Sequence, residues 1–206
     1  EKNLLKPFFS EEEFANKDKD ILIKEFYERI YVTYPFGLAA AKVGGAYIRR
    51  VSKDNLISDD EYAAVKNYID DIEKNLIVLE STDAFKRFIP VTLLIEANFF
   101  RLIQTMGRPI PQPIPDIYLR AIARARTLQI QTTEHFSILF YADYLAEKQD
   151  KDGVIKLLSA ISPATLDSAA RNALSSKESI QRLFPHLYNL QQGYPDVEAI
   201  YKRLIS

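Results

Sequence analysis

Four prolines alternate with other residues in the segment 109–115. Each proline lacks a backbone N–H and restricts the residue before it, so neither a helix nor a central strand can run through this segment. We expect an extended connection close to polyproline II. It divides the chain into an N-terminal helical bundle, 1–106, and a C-terminal layer of short helices, 116–206, joined by the connector 107–115. Each part alone would have a small core, so we predict that the two pack into one compact unit.

On both sides of this connector, apolar residues recur at the three- and four-residue spacing of amphipathic helices. The clearest helix covers 58–79 and opens with a capping box, in which a serine and a glutamate three residues later satisfy each other's backbone N–H. A second capping box joins Ser10 to Glu13, and Asp20 is expected to cap the following helix. The remaining predicted helices are 37–53, 83–89, 90–106, 115–128, one opened by Thr133, 153–160, 162–174, 176–183, 185–191 and 195–204.

The predicted fold is all-α, because no segment shows strand alternation bounded by hairpin turns. We expect eight to eleven helices in two layers, arranged as a multi-helix bundle or an irregular solenoid-like array. Small and apolar residues over 142–161 are spaced somewhat as in a tetratricopeptide unit. The tryptophan and the Leu-Gly pair that mark such units are absent, so no family is assigned.

Composition excludes several classes of chemistry. The chain has 206 residues and no cysteine, which excludes disulfides, zinc fingers, iron–sulfur ligation and a cysteine nucleophile. Its two histidines, His135 and His186, do not follow the spacings of helical metal sites. No phosphate-binding loop and no serine-nucleophile motif occurs. We therefore predict no metal and no cofactor, and an enzyme is the less favoured interpretation.

The sequence leaves the compartment open, with the cytoplasm slightly favoured over an exported mature form. The longest apolar stretch, 90–103, is shorter than the roughly 20 residues that a membrane span needs, and it contains Glu96 and Arg101. We expect a soluble chain without a span. The chain opens at Glu1 instead of methionine, and we interpret this as a processed form from which a signal peptide could have been removed.

Charge is distributed unevenly along the chain. Residues 1–85 carry a formal charge of −5, residues 86–126 carry +5, and residues 127–206 carry −1. The middle segment is mostly arginine, whose rigid fork of donors suits carboxylate or phosphate. It could pair internally with the acidic first third, form a surface for an acidic protein partner, or bind phosphate groups. The candidate binding residues in it are Lys86, Arg87, Arg120, Arg124 and Arg126.

Tyrosines supply a second set of candidates. Most of the twelve fall on helical stripes, where core packing is expected. Tyr188, Tyr194 and Tyr201 cluster near the C-terminus and are candidates for lining a groove, because tyrosine is enriched at interfaces.

The favoured function is a non-enzymatic helical scaffold or adaptor that binds a protein partner. The first alternative is a helical nucleic-acid or phosphate binder that uses 86–126; it is not favoured, because aromatic residues do not interleave with the arginines as a base-stacking platform requires. The second alternative is a small all-helical ribonuclease. Arg182 and His186 are similar to the arginine–histidine pair of HEPN-type ribonucleases, but their spacing is shorter and Pro185 interrupts the helix between them.

Overall fold

A computed structural model describes residues 10–27, 89–105, 107 and 109–206, together with the single positions 59, 60, 63, 66, 67 and 86. Ten α-helices and one short 3₁₀ helix lie among these residues, and no strand does. The predicted all-α multi-helix fold is therefore confirmed. The α-helices are α1 Glu11–Asn16, α2 Lys19–Tyr27, α3 Ile89–Thr105, α4 Ile114–Thr127, α5 Gln131–Glu147, α6 Lys151–Ser159, α7 Ser168–Ser175, α8 Lys177–Leu183, α9 Pro185–Gly193 and α10 Pro195–Ile205.

The first capping box forms as predicted. Ser10 Oγ accepts the Glu13 N–H at 3.2 Å, and the Glu13 carboxylate accepts the Ser10 N–H at 2.9 Å. Helix α2 begins at Lys19, so Asp20 lies in its first turn and does not cap it. The predicted helix 37–53 lies outside the described residues. Of the predicted helices 58–79 and 83–89, the structure describes only single positions.

Helices α5 and α6 each begin two residues before the predicted starts at Thr133 and Gly153. The reason is a tight turn before each helix. Gln129 and Gln149 have φ angles of 56° and 61°, the left-handed conformation that usually selects glycine. Because these positions are glutamine and not glycine, the sequence does not indicate a turn there. Asp150 then caps α6 by accepting the N–H of Gly153 at 3.0 Å.

The predicted helix 162–174 is divided in two. Pro163–Thr165 forms a single 3₁₀ turn, after which Leu166 takes an extended conformation and is buried. Burial of this leucine directs the chain into the core and interrupts the helix. Asp167 then caps α7 by accepting two backbone N–H groups at 2.9 and 3.2 Å. The predicted starts of the last three helices agree closely with the structure, because Ser176 caps α8 and prolines are the first residues of α9 and α10.

Two adjoining apolar clusters form the core of the described residues. The first contains buried apolar side chains of α3, those of α4 as far as Ala121, and Tyr144 of α5. The second extends from Ile122 of α4 through α10. Four half-buried residues of α5 pack against both clusters: Phe136, Phe140, Tyr141 and Leu145. Helix α5 therefore joins the two clusters, and α3 and α4 share one cluster across the connector. The predicted division at 106 and 116 stays a prediction, since most of 1–106 is not described.

Helix α3 is buried on all sides between Ile89 and Ile103, except at the half-buried Val91. It nevertheless carries Arg101, whose side chain is wholly buried. Two acidic residues of α5 neutralise this arginine: Arg101 Nη2 lies 2.6 Å from Asp143 Oδ2, and Arg101 Nε lies 2.7 Å from Glu147 Oε2. Internal pairing of the basic segment thus occurs at Arg101 with α5; pairing with the acidic first third stays a prediction, because most of residues 1–85 lie outside the described part of the chain.

Asp143 extends this ion pair to a third helix. Its Oδ1 accepts the backbone N–H of Leu187 at 2.8 Å, and Leu187 is the third residue of α9. The first N–H groups of a helix have no partner within it, and they carry the positive end of the helix dipole. One buried carboxylate therefore joins α3, α5 and the start of α9.

A tyrosine hydroxyl also bridges α3 and α4 in the first cluster. Tyr118 is wholly buried and donates its hydroxyl hydrogen to Asn98 Oδ1 at 2.6 Å. Burial raises the pKa of Tyr118 well above its ordinary value, so the hydroxyl stays a neutral donor. Its ring also stacks on Tyr141 of α5, with the ring centroids 5.4 Å apart.

The proline-rich connector is held at both ends and in its middle. Gly107, at φ 71°, ends the turn after α3, and its N–H donates to the Gln104 carbonyl at 3.0 Å. The side chain of Ile110 packs against the first cluster. Gln112 donates to Glu96 Oε1 at 2.6 Å and accepts from Arg120 Nη1 at 3.1 Å. Helix α4 begins at Ile114, with proline in its first turn as predicted.

A histidine of α5 supports the cap of α7. His135 is buried, and its Nδ1 accepts the backbone N–H of Asp167 at 3.0 Å. The Thr132 hydroxyl donates to Asp167 Oδ2 at 2.7 Å. Burial lowers the pKa of His135, while the nearby carboxylates of Glu134 and Asp167 act in the opposite direction. The neutral imidazole is the form that this arrangement stabilises.

Replacing Arg101 with methionine should strongly destabilise the fold, because it leaves Asp143 and Glu147 without their cation. Removing one partner of a buried ion pair costs about 3–5 kcal/mol. Arg126→Met is the matched control, since Arg126 also pairs with a carboxylate of α5 but its side chain is 62% exposed. That change should cost at most about 1 kcal/mol in urea-denaturation experiments. Equal losses for the two variants would contradict the role assigned to the buried pair.

Replacing Gln112 with alanine should lower the free energy of unfolding by about 1–3 kcal/mol, because a hydrogen bond to the buried Glu96 carboxylate is lost. Gln112→Glu should lower the free energy of unfolding further, because it places a second carboxylate next to that of Glu96. Gln192→Ala is the control, because Gln192 is exposed on α9; its effect should stay within about 0.5 kcal/mol. If Gln112→Ala unfolds at the same urea concentration as the parent, the connector is not anchored through this residue.

The depressed pKa of His135 predicts a specific pH dependence of stability. The unfolded chain takes up the proton first as the pH falls, so this contribution is complete above about pH 6.5 and declines below it toward the native pKa. His135→Asn keeps an acceptor near the Nδ1 position but does not titrate. Unfolding free energies measured from pH 8 to 5 should fall more steeply for the parent than for this variant. Parallel curves would show that His135 does not contribute.

Candidate functional site

Helix α4 has two opposite faces. Its apolar face is buried in the core and comprises Ile114, Ile117, Tyr118, Ala121, Ile122 and Ala125. The other side is exposed and contains the residues that we define as the α4 outer face: Leu119, Arg120, Ala123, Arg124 and Thr127. Leu119 is 50% exposed and lies outside the buried apolar stripe of this helix. The outer face therefore combines one prominent apolar side chain with two arginines.

A cleft of about 230 Å³ adjoins this face at the C-terminal end of α4. It is lined by Lys86, Ile89, Arg124, Thr127 and Leu128, so it lies between the end of α4 and the residues at the start of α3. The fold thus brings together Lys86 and Arg124, two of the predicted binding residues that lie 38 positions apart in the sequence. Arg124 belongs to both the cleft and the α4 outer face.

The other predicted cations have different surroundings. Arg120 is exposed on the outer face and donates to Gln112 of the connector at 3.1 Å. Arg126 is also exposed, and its Nη2 lies 2.8 Å from Glu134 Oε1 of α5, which neutralises much of its charge. Arg87 lies outside the described residues.

The three predicted tyrosines do not share one environment. Tyr188 and Tyr201 are half-buried and pack against the second core cluster. The Tyr201 hydroxyl donates to the carbonyl of Leu174, and burial raises the pKa of Tyr201. Tyr194 is 41% exposed, and the Lys151 ammonium lies 5.5 Å from the centroid of its ring. Two of the three therefore have packing roles in the fold, while Tyr194 presents its ring to solvent.

A surface ion pair accompanies Tyr194. Lys151 Nζ lies 3.0 Å from Asp196 Oδ2, which joins the start of α6 to the start of α10. The hydrogen bond between them raises the pKa of Lys151 and lowers the pKa of Asp196. Both groups are fully charged at neutral pH, and the pair connects two helices.

The arginine–histidine pair is divided between two helices. Arg182 is exposed in the last turn of α8, and His186 is half-buried in the first turn of α9. Phe184 lies between the two helices and Pro185 opens α9, so Arg182 and His186 do not lie on consecutive turns of one helix, the arrangement that the ribonuclease alternative assumes.

No group of three or more histidine and acidic side chains in the described part of the chain is arranged to hold a metal ion. No helix within the described ranges is long and apolar enough to cross a membrane.

Sequence reasoning identified the cations of the site but missed its apolar residues. The signal for Leu119 lies in the helical period: the buried stripe of α4 uses 114, 117, 118, 121, 122 and 125, and Leu119 falls outside it. No such signal exists for Ile89 and Leu128, because they meet Arg124 in the cleft only through the packing of α3 against α4.

Comparisons with known proteins identify no relative of this chain. No protein-family model, no curated protein and no solved structure matches the chain.

Proposed function

We propose that this chain is a non-enzymatic helical adaptor that binds an acidic segment of a protein partner through the α4 outer face. The observation that carries the proposal is Leu119, which is half exposed at one edge of the solvent-facing side of α4, with Arg120 and Arg124 about 100° and 140° further around the helix. Interfaces concentrate their binding energy in a few residues, and arginine is enriched among them. A partner with an apolar side chain and carboxylates complements this combination.

The exposed charge of α4 supports an acidic partner. Its exposed cations are Arg120, Arg124 and Arg126, against the single exposed carboxylate of Asp116. Arg126 pairs with Glu134 of α5, and Arg120 donates to the neutral amide of Gln112 and so keeps its charge on the face. Lys86 adds a further cation at the cleft. Carboxylates on a partner would be steered to this face, and their bonds to arginine would be charge-assisted.

The combination of Leu119 with arginines on this face favours a protein partner over a nucleic acid. Phosphates would satisfy the arginines but would leave Leu119 uncovered. Bases of a single strand bind by stacking on aromatic side chains, and the exposed side of α4 has none, because Tyr118 is buried. Nucleic-acid binding is therefore the alternative that the experiment has to exclude.

The test compares two double charge reversals in affinity capture followed by titration. Arg120→Glu/Arg124→Glu changes the α4 outer face, and Lys156→Glu/Lys177→Glu makes the same change of net charge at exposed positions on α6 and α8. A partner captured by the parent and the control, and lost with the α4 variant, is then purified and titrated directly. We expect Arg120→Glu/Arg124→Glu to weaken binding at least tenfold. Leu119→Ala should weaken it about three- to tenfold, because a partner covers only the exposed half of this leucine and full burial is worth about 1.5–3 kcal/mol.

Thermal melting and circular dichroism confirm first that each variant is folded. Single-stranded RNA is titrated in parallel at two salt concentrations. RNA binding that falls steeply with salt, is lost in the α4 variant and is unchanged in Leu119→Ala would replace the protein-adaptor proposal with the nucleic-acid alternative. A partner that binds the α4 variant as tightly as the parent would place the interface elsewhere.

A further inference from the structure

The exposed side of α4 carries an anion and a cation on adjacent turns. Asp116 lies in the first turn of the helix and Arg120 in the next, and both are exposed. Arg120 uses one of its five N–H donors on the amide oxygen of Gln112, and within the described ranges neither charged side chain takes part in an ion pair. The two residues are four apart, which is about 6 Å along the helix axis and about 40° around it.

Apolar side chains accompany this pair of charges. Leu119, which is 50% exposed, lies about 60° around the helix from Asp116, on the side away from Arg120. Ala123 and Pro113 are also exposed and lie toward the two ends of the pair. We define these five residues as the α4 strip. Its short or rigid end residues allow a second helix to approach closely, with a leucine on one side and both charges beside it.

We propose that two copies of this chain associate through the α4 strip, with their α4 helices packed antiparallel about a two-fold axis midway between Asp116 and Arg120. Closed two-fold dimers are the commonest oligomers, and each copy contributes the same patch to the contact. In this register Asp116 of each copy lies opposite Arg120 of the other, which forms two reciprocal ion pairs. The inference goes beyond the proposed function and does not depend on it.

The same register also matches the apolar residues of the strip. Leu119 lies one residue from the two-fold axis, so the two leucines are offset by about 3 Å along the helices and contact each other on one side of the axis. Pro113 and Ala123 both lie five residues from the axis, so each faces the other residue in the second copy. A parallel pair would instead bring Asp116 against Asp116 and Arg120 against Arg120. Charge complementarity therefore selects the antiparallel arrangement.

The dimer and the complex with an acidic partner would both cover Leu119, so they exclude each other. A contact limited to one helix face of each copy belongs with the small interfaces of transient complexes. We expect a dissociation constant on the order of 0.1 mM. A dimer of this strength covers the binding surface when the chain is concentrated and releases it to a partner that binds more tightly.

The test is a charge exchange, read by analytical ultracentrifugation over a range of protein concentrations. Asp116→Arg and Arg120→Asp should each weaken self-association at least tenfold, because the two-fold axis turns each substitution into two like-charge contacts. An equimolar mixture of the two variants should dimerise about as tightly as the parent, because opposite charges again face each other at both contacts. Leu119→Ala should weaken the dimer about tenfold or more, since both copies lose the leucine.

Matched controls separate the contact from a change of net charge. Glu178 is, like Asp116, an exposed acid in the first turn of its helix, and Lys156 is exposed on α6. Glu178→Arg and Lys156→Asp, alone or mixed, should dimerise like the parent, and circular dichroism checks that every variant is folded. A parent that stays monomeric at about 1 mM, ten times the expected dissociation constant, would overturn the inference. So would single variants that dimerise like the parent, or a mixture that fails to restore the dimer.

The dimer and the adaptor proposal fail separately. If the mixed variants restore a dimer while no captured partner depends on Leu119, the dimer stands and the adaptor proposal fails. If a partner depends on Leu119 and Arg120 while the parent sediments as a monomer, the adaptor proposal stands and the dimer fails.

Discussion

Arg101 carries its charge into a helix that has no solvent-facing side, and the arrangement of the surrounding helices depends on how that charge is satisfied. Asp143 and Glu147 lie four residues apart on α5, so both carboxylates point to the same side of that helix. An unpaired buried charge costs several kcal/mol, which penalises any register of α3 and α5 that separates these groups. Asp143 also bonds the N-terminus of α9, so the same residue positions the C-terminal helices.

The position of α4 follows from this buried frame. Its apolar stripe packs on α3 and α5, and the Tyr118 hydroxyl bonds Asn98 of α3. The connector adds a second constraint, because Gln112 joins the buried Glu96 of α3 to Arg120 of α4. These contacts leave the opposite side of α4 exposed and set Arg124 beside Lys86. The proposed binding surface is thus the outward side of a helix whose inward side is held by specific polar bonds as well as by apolar packing.

Elements that depend on local rules were predictable from the sequence, and the errors have local causes too. The Ser10 capping box, the proline-led starts of α4, α9 and α10, and the cap at Ser176 all rest on interactions within a few residues. The predicted starts of α5 and α6 were two residues late, because the left-handed turn position before each helix, which is usually a glycine, is a glutamine here. Burial of Leu166 interrupted the helix predicted from Ser162, since a local cap signal contains no information about the core.

The sequence by itself determined that the chain is helical, where the connector lies, and that residues 86–126 are rich in arginine. The tertiary structure decided what each arginine does. Arg101 and Arg124 are the same residue type in neighbouring helices, yet one is buried between two carboxylates and the other lines an open cleft. The two α5 carboxylates that pair with Arg101 lie more than 40 residues away in the chain, and Lys86 lies 38 residues from Arg124. Local periodicity forms each helix, but only the packing of helices against one another determines which charges are enclosed and which face the solvent.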